Sequence, residues 1–295
     1  MPILFFAFLT FGCQGLDPTP ISADKTFPNL AGLSDTKICE MATRVNEWEK
    51  RKEYIFLEQA SPCLAWGGEN FLIEISDKYC LKVIEDSAES LGSKFNGKHS
   101  GTFGDFGCFS FNGNKIITCG GGGMIVTNNK KLAIKAKHLS TQAKADSFEY
   151  FHDDIGYNYR LTNVSAAIGL AQMEQLDTFL TRKHQIKEIY FNELSNIGDI
   201  EFQKVNDNVD SNWWLFTIMS KYQKKLLKNL NNNKLQSRPF WIPMNKLPMF
   251  KKNIYLSEDN YSDKIYNSCL SIPCSTNISD NDLELVINVI KKTFK

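Results

Sequence analysis

The chain has 295 residues, and at about 150 residues per domain that suggests two domains or one large one. Hydrophobic residues make up 42% and charged residues 23% of it, ordinary globular usage that excludes wholesale disorder. Its 34 basic and 33 acidic residues leave a net charge of +1, so there is no electrostatic footprint for nucleic acid and no basic helix for an anionic membrane.

Met1 to Phe11 is apolar and looks like the core of a signal peptide, with Gly12-Cys13 as a poor lipoprotein-type site. No Lys or Arg precedes it, and the run is too short to span a bilayer. A buried strand, or a chain whose start has been cut off, is the expectation. No later stretch has the length of a transmembrane helix. Residues 12 to 70 follow neither a period of 2 nor one of 3.6 for long, although Ile38, Met41 and Val45 suggest a helix over Asp35 to Lys50.

From residue 71 the pattern clears. Phe71 to Tyr79 reads as an amphipathic helix and Leu81 to Asp86 as a short buried strand, the αβ rhythm of a mainly parallel sheet. Gly101 to Gly107 is turn-like, and Cys108 to Phe111 is a second strand. Lys115 stands just past it, before Ile116-Ile117-Thr118. Gly120 to Gly123 break the chain and Met124 to Thr127 resumes an extended pattern, which predicts a hairpin with a tight glycine turn. Lys130 to Leu139 is helical. Asn163 is placed to cap a helix running to about Leu194. Trp213 to Met219 reads as a strand, Asn231 to Asn233 as a polar turn, residues 238 to 248 as a Pro-rich loop and Asp280 to Phe294 as a helix.

The cysteines at 13, 39, 63, 80, 108, 119, 269 and 274 form no Cys-x-x-Cys pair, so a disulfide framework or zinc site is not expected. A reducing, cytoplasmic compartment is. His99, His138, His152 and His184 lack metal-ligand spacing, and no metal is called for. The glycines at 120 to 123 are not followed by the Gly-Lys-Ser/Thr of a nucleotide loop.

Three residues point to chemistry: Asp86 at the end of a buried strand, Ser110 inside one, and Lys115 before a glycine run. Ligands of α/β sheets bind at the carboxyl ends of strands. A carboxylate there needs a cation, and a lysine held against an apolar wall becomes a usable nucleophile. Pyridoxal phosphate requires such a set: an amine to bond it, a carboxylate for its ring nitrogen, and a hydroxyl for its phosphate. Read singly, each has a plainer explanation. Asp86 alone suits a helix N-cap, a lysine before glycines suits a solvated hairpin, and Phe240 and Trp241 serve equally as packing or as the wall of a sugar-nucleotide site.

Together the motifs are specific. Glu85-Asp86-Ser87-Ala88-Glu89-Ser90-Leu91-Gly92-Ser93, Ser110 to Lys115 with Gly120 to Gly123, Gly156 to Asn163, and Arg238-Pro239-Phe240-Trp241-Ile242-Pro243-Met244 occur in the order that resembles the nucleotide-sugar aminotransferases of the DegT/DnrJ/EryC1/StrS family. The resemblance covers about residues 71 to 295 and is nearest the LegC-like branch, which aminates the 4-keto group of UDP-linked 2-acetamido-deoxyhexoses. It implies an α/β protein of pyridoxal-phosphate fold type I. A large, mainly parallel cofactor-binding domain, truncated at its N-terminus, would occupy residues 1 to 175 and a small α+β domain residues 176 to 295. It implies transfer of an amino group from glutamate to a 4-keto sugar on a nucleotide, for surface polysaccharides.

Carried over by residue, the resemblance makes Lys115 the lysine that bonds the cofactor and moves protons. Asp86 becomes the partner of the ring nitrogen and Ser110 a phosphate ligand. Glu89 stands where the family usually has a Gln against the phenolic oxygen, so it is expected protonated or turned aside. Asn158 would reach the cofactor of a neighbouring subunit, which implies a homodimer. Tyr159, Arg160 and Arg238 would lie near substrate. The dehydratase variant of the family replaces the lysine by His; this chain keeps Lys115. In two respects the chain departs from the family. The N-terminal Ser-Gly-Thr phosphate turn has no equivalent in residues 1 to 70, where only Leu9-Thr10-Phe11 and Asp24 to Phe27 match. Met244-Asn245 stands where many relatives have a His after the Pro. The rival reading is a non-catalytic remnant that dimerises yet binds cofactor poorly.

Overall fold

The computed structural model describes residues 73–74, 76–146, 148–253, 255 and 260–295 in full, and residues 4–6 and 55–57 as backbone. The helix expected over 35–50 and the fragments at 9–11 and 24–27 lie outside the described residues. Two units emerge, the first holding the described residues up to Asp177 together with Val205–Asn212, the second Thr178–Lys204 and Trp213–Lys295.

The first unit is built on strands β1 (Leu4–Phe6), β2 (Ile55–Leu57), β3 (Val83–Asp86), β4 (Lys94–Phe95), β5 (Lys98–His99), β6 (Phe106–Ser110) and β7 (Gly123–Val126). The main sheet runs β1-β7-β6-β3-β2. In it β2, β3 and β6 are parallel, whereas β7 is antiparallel to β6 and β1 to β7. The sheet is therefore mixed, not mainly parallel as the αβ rhythm suggested, because the chain folds straight back after β6. In the hairpin that forms, β6 pairs with β7 and Ser110 lies opposite Gly123. Its turn is not tight: residues 111–122 form a long loop that carries Lys115.

Alternation along β3 sorts its side chains. Val83 and Glu85 face the buried side, Ile84 and Asp86 the more open one. Glu85 is 4% exposed, and a buried carboxylate is tolerated only with donors around it. It takes the N–H groups of Gly101 at 2.7 Å and of Phe103 and Gly104, each at 2.6 Å. The turn thus drawn over the sheet passes so close that a Cβ on Gly107 would lie 2.0 Å from the Gly101 carbonyl oxygen. Only glycine fits at 107, directly opposite Glu85 in the register.

Next come α1 (Lys130–Ser140), capped by Asn129, then β8 (Lys144–Asp146), β9 (Phe151–His152), α2 (Asn163–Met173) and α3 (Leu176–Leu194). The long helix expected from 163 to 194 is broken at Glu174 and Gln175. Its cap is Thr162, whose extended backbone lets Oγ1 accept from the Ser165 N–H, so that Asn163 is already inside the helix. The helix expected over 71–79 is found at Ile73, Glu74 and Ser76–Lys78.

The second unit pairs helices with an antiparallel sheet. Its strands are β10 (Glu201–Phe202), β12 (Phe216–Met219), β13 (Arg238–Pro239) and β14 (Cys269–Ile272), in the order β10-β12-β14-β13. Between the first two, β11 (Val209–Asp210) returns to the first unit and pairs with β4. The strand expected from Trp213 begins at Phe216, since Trp213 adopts a left-handed φ of 49°. Helices α4 (Gln223–Asn232), α5 (Tyr261–Ser268) and α6 (Asp280–Thr293) complete the unit, so Asn231 and Asn232 are helical rather than a turn. Tyr190, Leu194, Phe216, Leu226, Leu270 and Ile290 form its core.

Burial raises the Glu85 carboxyl above its ordinary value, while the N–H groups of Gly104, Gly101 and Phe103 and the charge of Lys98 act against the rise. A folded value above the unfolded one means that the group's stability contribution is complete below pH 4.5 and falls as pH climbs through the folded value. Glu85→Gln would place an NH2 against N–H donors, at a cost of about 1–3 kcal/mol, and would lack that slope; urea unfolding at a series of pH values measures both. Ser87 is wholly buried and its Oγ has no hydrogen-bond partner among the described residues. Ser87→Ala is therefore expected to leave stability unchanged or raise it by about 1 kcal/mol, read as the melting temperature.

Candidate active site

β3 and β6 run parallel with Asp86 beside Cys108, so Asp86, Cys108 and, two residues on, Ser110 share the more open face of the sheet. Burial, helped by the carboxylates of Asp86 and Glu85, pushes the Cys108 thiol up to about 11. The charge of Asp86 is thus felt across the strand gap. Asp86 Oδ1 accepts the Ala88 N–H at 3.1 Å, the local turn that suits a bare Asp; Oδ2 takes no hydrogen bond from the described residues. Ser110 Oγ accepts the Asn112 N–H at 3.3 Å, which leaves its O–H to donate.

The loop after β6 is folded on itself. The Phe111 N–H donates to the Gly122 carbonyl at 2.9 Å, and the Phe111 carbonyl accepts from the Cys119 N–H and from Thr118 Oγ1. Phe111 and Ile117 are buried beneath it. The Lys115 N–H donates to the Asn112 carbonyl at 3.1 Å, which sets the direction in which the lysine leaves the loop. Its Nζ meets Glu89 Oε1 at 3.0 Å, with the two side chains 12% and 17% exposed. Glu89 thus pairs with the lysine. Cys119, close by in sequence, gives its thiol to the Gly121 carbonyl, and burial raises it above the ordinary thiol value, which suits packing rather than attack.

Behind this pair stands a set of residues that sequence reading did not single out. Asn212 Nδ2 donates to the carbonyls of Glu89 at 2.8 Å and Leu91 at 2.9 Å, and its N–H to Ser93 Oγ at 3.0 Å. Ser100 Oγ donates to Ser90. Asn212 lies far along the chain from residues 86–93, and no motif signals it; only the return of β11 to the first unit brings it there. A Ser-Gly-Thr triplet does occur, at Ser100-Gly101-Thr102, but its Gly101 N–H is committed to Glu85 and its serine to Ser90. It is not a spare phosphate turn.

Asn158, Tyr159 and Arg160 lie in the same unit on a segment tied to the end of α1. The Tyr159 N–H donates to the Ser140 carbonyl, Asn158 bridges Thr141, and Tyr157 stacks on Tyr159 at 5.0 Å. Asn158 and Arg160 are exposed, and no hydrogen bond joins them to Lys115 or Asp86 among the described residues. Arg238 is exposed at the edge of the second unit's sheet. The structure pairs Lys115 with Glu89 and sets Asp86 and Ser110 on one face of the first unit's sheet, while Arg238 belongs to the second unit.

A family profile described as the DegT/DnrJ/EryC1/StrS aminotransferase family matches residues 70–291. The chain belongs to this family. It is 37% identical over 231 residues to EpsN of Bacillus subtilis, named as a pyridoxal phosphate-dependent aminotransferase, with 76% of this chain and 59% of the relative covered. It is 41% identical over 184 residues to GDP-perosamine synthase of Escherichia coli O157:H7, covering 61% of this chain and 50% of the relative. The chain thus spans little more than half the length of these relatives. Among solved structures, a family member from Brucella abortus superposes with a TM-score of 0.73 at 24% identity, covering 88% of this chain and 70% of the other. The aminotransferase PseC of Helicobacter pylori gives 0.69 at 23%, covering 77% and 63%. These two likenesses establish the fold.

The described residues fit the family's cofactor. One oxygen of the strand-end carboxylate and one hydroxyl hydrogen remain uncommitted on a single sheet face, and an amine stands on the neighbouring loop. No group of His, Cys, Asp or Glu suited to a metal exists among the described residues, and no helix there is long and apolar enough to cross a membrane. Asn212→Ala removes the amide that donates to the Glu89 and Leu91 carbonyls. A loss of about 1–3 kcal/mol is expected, measured by denaturant unfolding, with lowered protection of residues 87–93 in amide exchange.

Proposed function

We propose that the chain acts as a pyridoxal phosphate-dependent aminotransferase that moves an amino group from glutamate to a 4-keto sugar carried on a nucleotide. The observation that carries this reading is the Lys115–Glu89 pair at 3.0 Å, with Glu89 three residues beyond Asp86 at the end of β3. It is supported by the names of relatives: GDP-perosamine synthases, and the transaminase of UDP-4-amino-4,6-dideoxy-N-acetyl-beta-L-altrosamine from Campylobacter jejuni, 29% identical over 219 residues.

In this reading Asp86 would hold the cofactor by its ring nitrogen and keep it protonated, and Ser110 would hold its phosphate. Bound, pyridoxal phosphate supplies the electron sink for the carbanion that transamination requires. Lys115 Nζ would carry a proton from the donor's α-carbon to the cofactor in the first half-reaction, and from the cofactor to the sugar carbon in the second. Glu89 Oε1 keeps that amine in place between the two steps. Arg160, Tyr159 and Arg238 serve the substrate. The products of the two halves are 2-oxoglutarate and an amino sugar that supplies surface polysaccharide, made in the cytoplasm.

The active unit is a homodimer in which Asn158 reaches the partner copy. Large apolar side chains exposed in the first unit favour this: Phe148 is 90%, Ile155 80% and Val164 71% exposed. The rival is a chain that keeps the fold and the dimer but binds cofactor poorly. It draws on residues 1 to 70, which hold no Ser-Gly-Thr triplet, since affinity for a phosphate depends on several donors.

Absorbance separates the two. Protein mixed with pyridoxal phosphate should gain a visible band that Lys115→Ala abolishes, and a colourless wild type would favour the rival. Asp86→Asn should keep the band yet slow amino transfer at least about 100-fold, close to 3 kcal/mol of transition-state stabilisation.

A further inference from the structure

In the second unit a group of large rings stays outside the core. Trp241 is 55% exposed, with Ile242 and Met244 exposed after it, while the core is formed by other residues. The Trp241 ring stacks on that of Trp214, centroids 6.2 Å apart and planes 17° from parallel. Phe240 meets Trp241 edge-on at 4.7 Å. The backbone beneath both is pinned. Lys183, only 4% exposed, donates from Nζ to the Trp214 carbonyl at 2.9 Å and to the Cys274 carbonyl at 2.7 Å. A buried ammonium is costly unless acceptors surround it, so the lysine and the Trp214 carbonyl hold each other in place. On the other side the Phe240 N–H donates to the Cys269 carbonyl, and Arg238 and Pro239 pair with β14.

We propose that Trp241, backed by Trp214 and edged by Phe240, is a stacking seat for the nucleobase of a nucleotide-linked substrate, a purine in preference to a pyrimidine. The class of ligand rests on the transamination reading; the seat itself rests on the rings. A nucleobase has a π-face that an indole accepts without hydrogen-bond readout. An indole is bicyclic, so a purine overlaps it more fully than a pyrimidine does. The seat is assembled before any ligand arrives, which spares the ordering cost of two bulky side chains. Arg238, exposed on β13 three positions before Trp241, adds a positive charge for a negatively charged nucleotide.

The test is titration of the full chain with GDP, UDP and inorganic pyrophosphate, followed by tryptophan fluorescence and calorimetry. GDP should bind saturably and more tightly than UDP. Trp241→Ala should weaken GDP about tenfold or more and leave pyrophosphate unaffected, and Trp241→Phe, which keeps a π-face, should recover part of the loss. If Trp241→Ala misfolds by circular dichroism, Trp241→Leu takes its place. Equal GDP affinity in the variant, or no GDP binding by the wild type, overturns the seat, and tighter UDP binding overturns the purine preference. The visible band with pyridoxal phosphate is read separately. A Lys115-dependent band without nucleotide binding sinks the seat alone, and Trp241-dependent binding without a band sinks the transaminase reading alone.

Discussion

The carboxylate of Glu85 organises the first unit. Buried on the packed face of β3, it has to be solvated by protein, and the N–H groups of Gly101, Phe103 and Gly104 do so. Drawing those three donors inward folds the 101–104 turn over the sheet and delivers the chain into β6 in register with β3. Gly107 follows from that closeness, since any side chain there would collide with the turn. The result is that Asp86 and Ser110 lie on adjacent strands of one face.

The loop that bears Lys115 is fixed by different means. Phe111 is buried and gives both its N–H and its carbonyl to the returning limb, while Ile117 fills the space beneath. A lysine on such a loop loses little freedom when its amine finds a partner, and Glu89 is presented by a segment that Asn212 clamps through two carbonyls. The lysine is thus positioned by its own loop, and its carboxylate partner by a contact distant in sequence.

Much of the first unit was legible from residues 81 to 126. β3, β6 and β7 were all expected, and so was Lys115 beyond a strand, because alternation and glycines mark these locally. The mixed sheet was not legible: an αβ rhythm says which strands follow helices, not that the chain would turn back on itself through a long loop. Asn163 looked like a cap, but Thr162 has the extended backbone and the free hydroxyl, and a side chain one residue away cannot reveal which of two neighbours takes that role. Asn212 was invisible because its partners lie more than a hundred positions away. Glu85 was read merely as part of a strand, since burial on one face is a property of the folded sheet.

The three acids of residues 85 to 89 show how one short stretch yields three chemistries. Strand alternation sends Glu85 inward, where burial lifts its titration and backbone donors hold it, and sends Asp86 outward, where its second oxygen is uncommitted. Glu89, past the strand end, is no longer bound by the alternation and reaches the lysine. Exchanging any two of them would fail for distinct reasons. A shorter Asp at 85 would not reach the turn's N–H groups, and a longer Glu at 86 would not close the tight turn onto Ala88. An Asp at 89 would fall short of the amine by a methylene. The spacing is therefore set by side-chain length and strand geometry together, and the site inherits its precision from the same packing that makes the sheet.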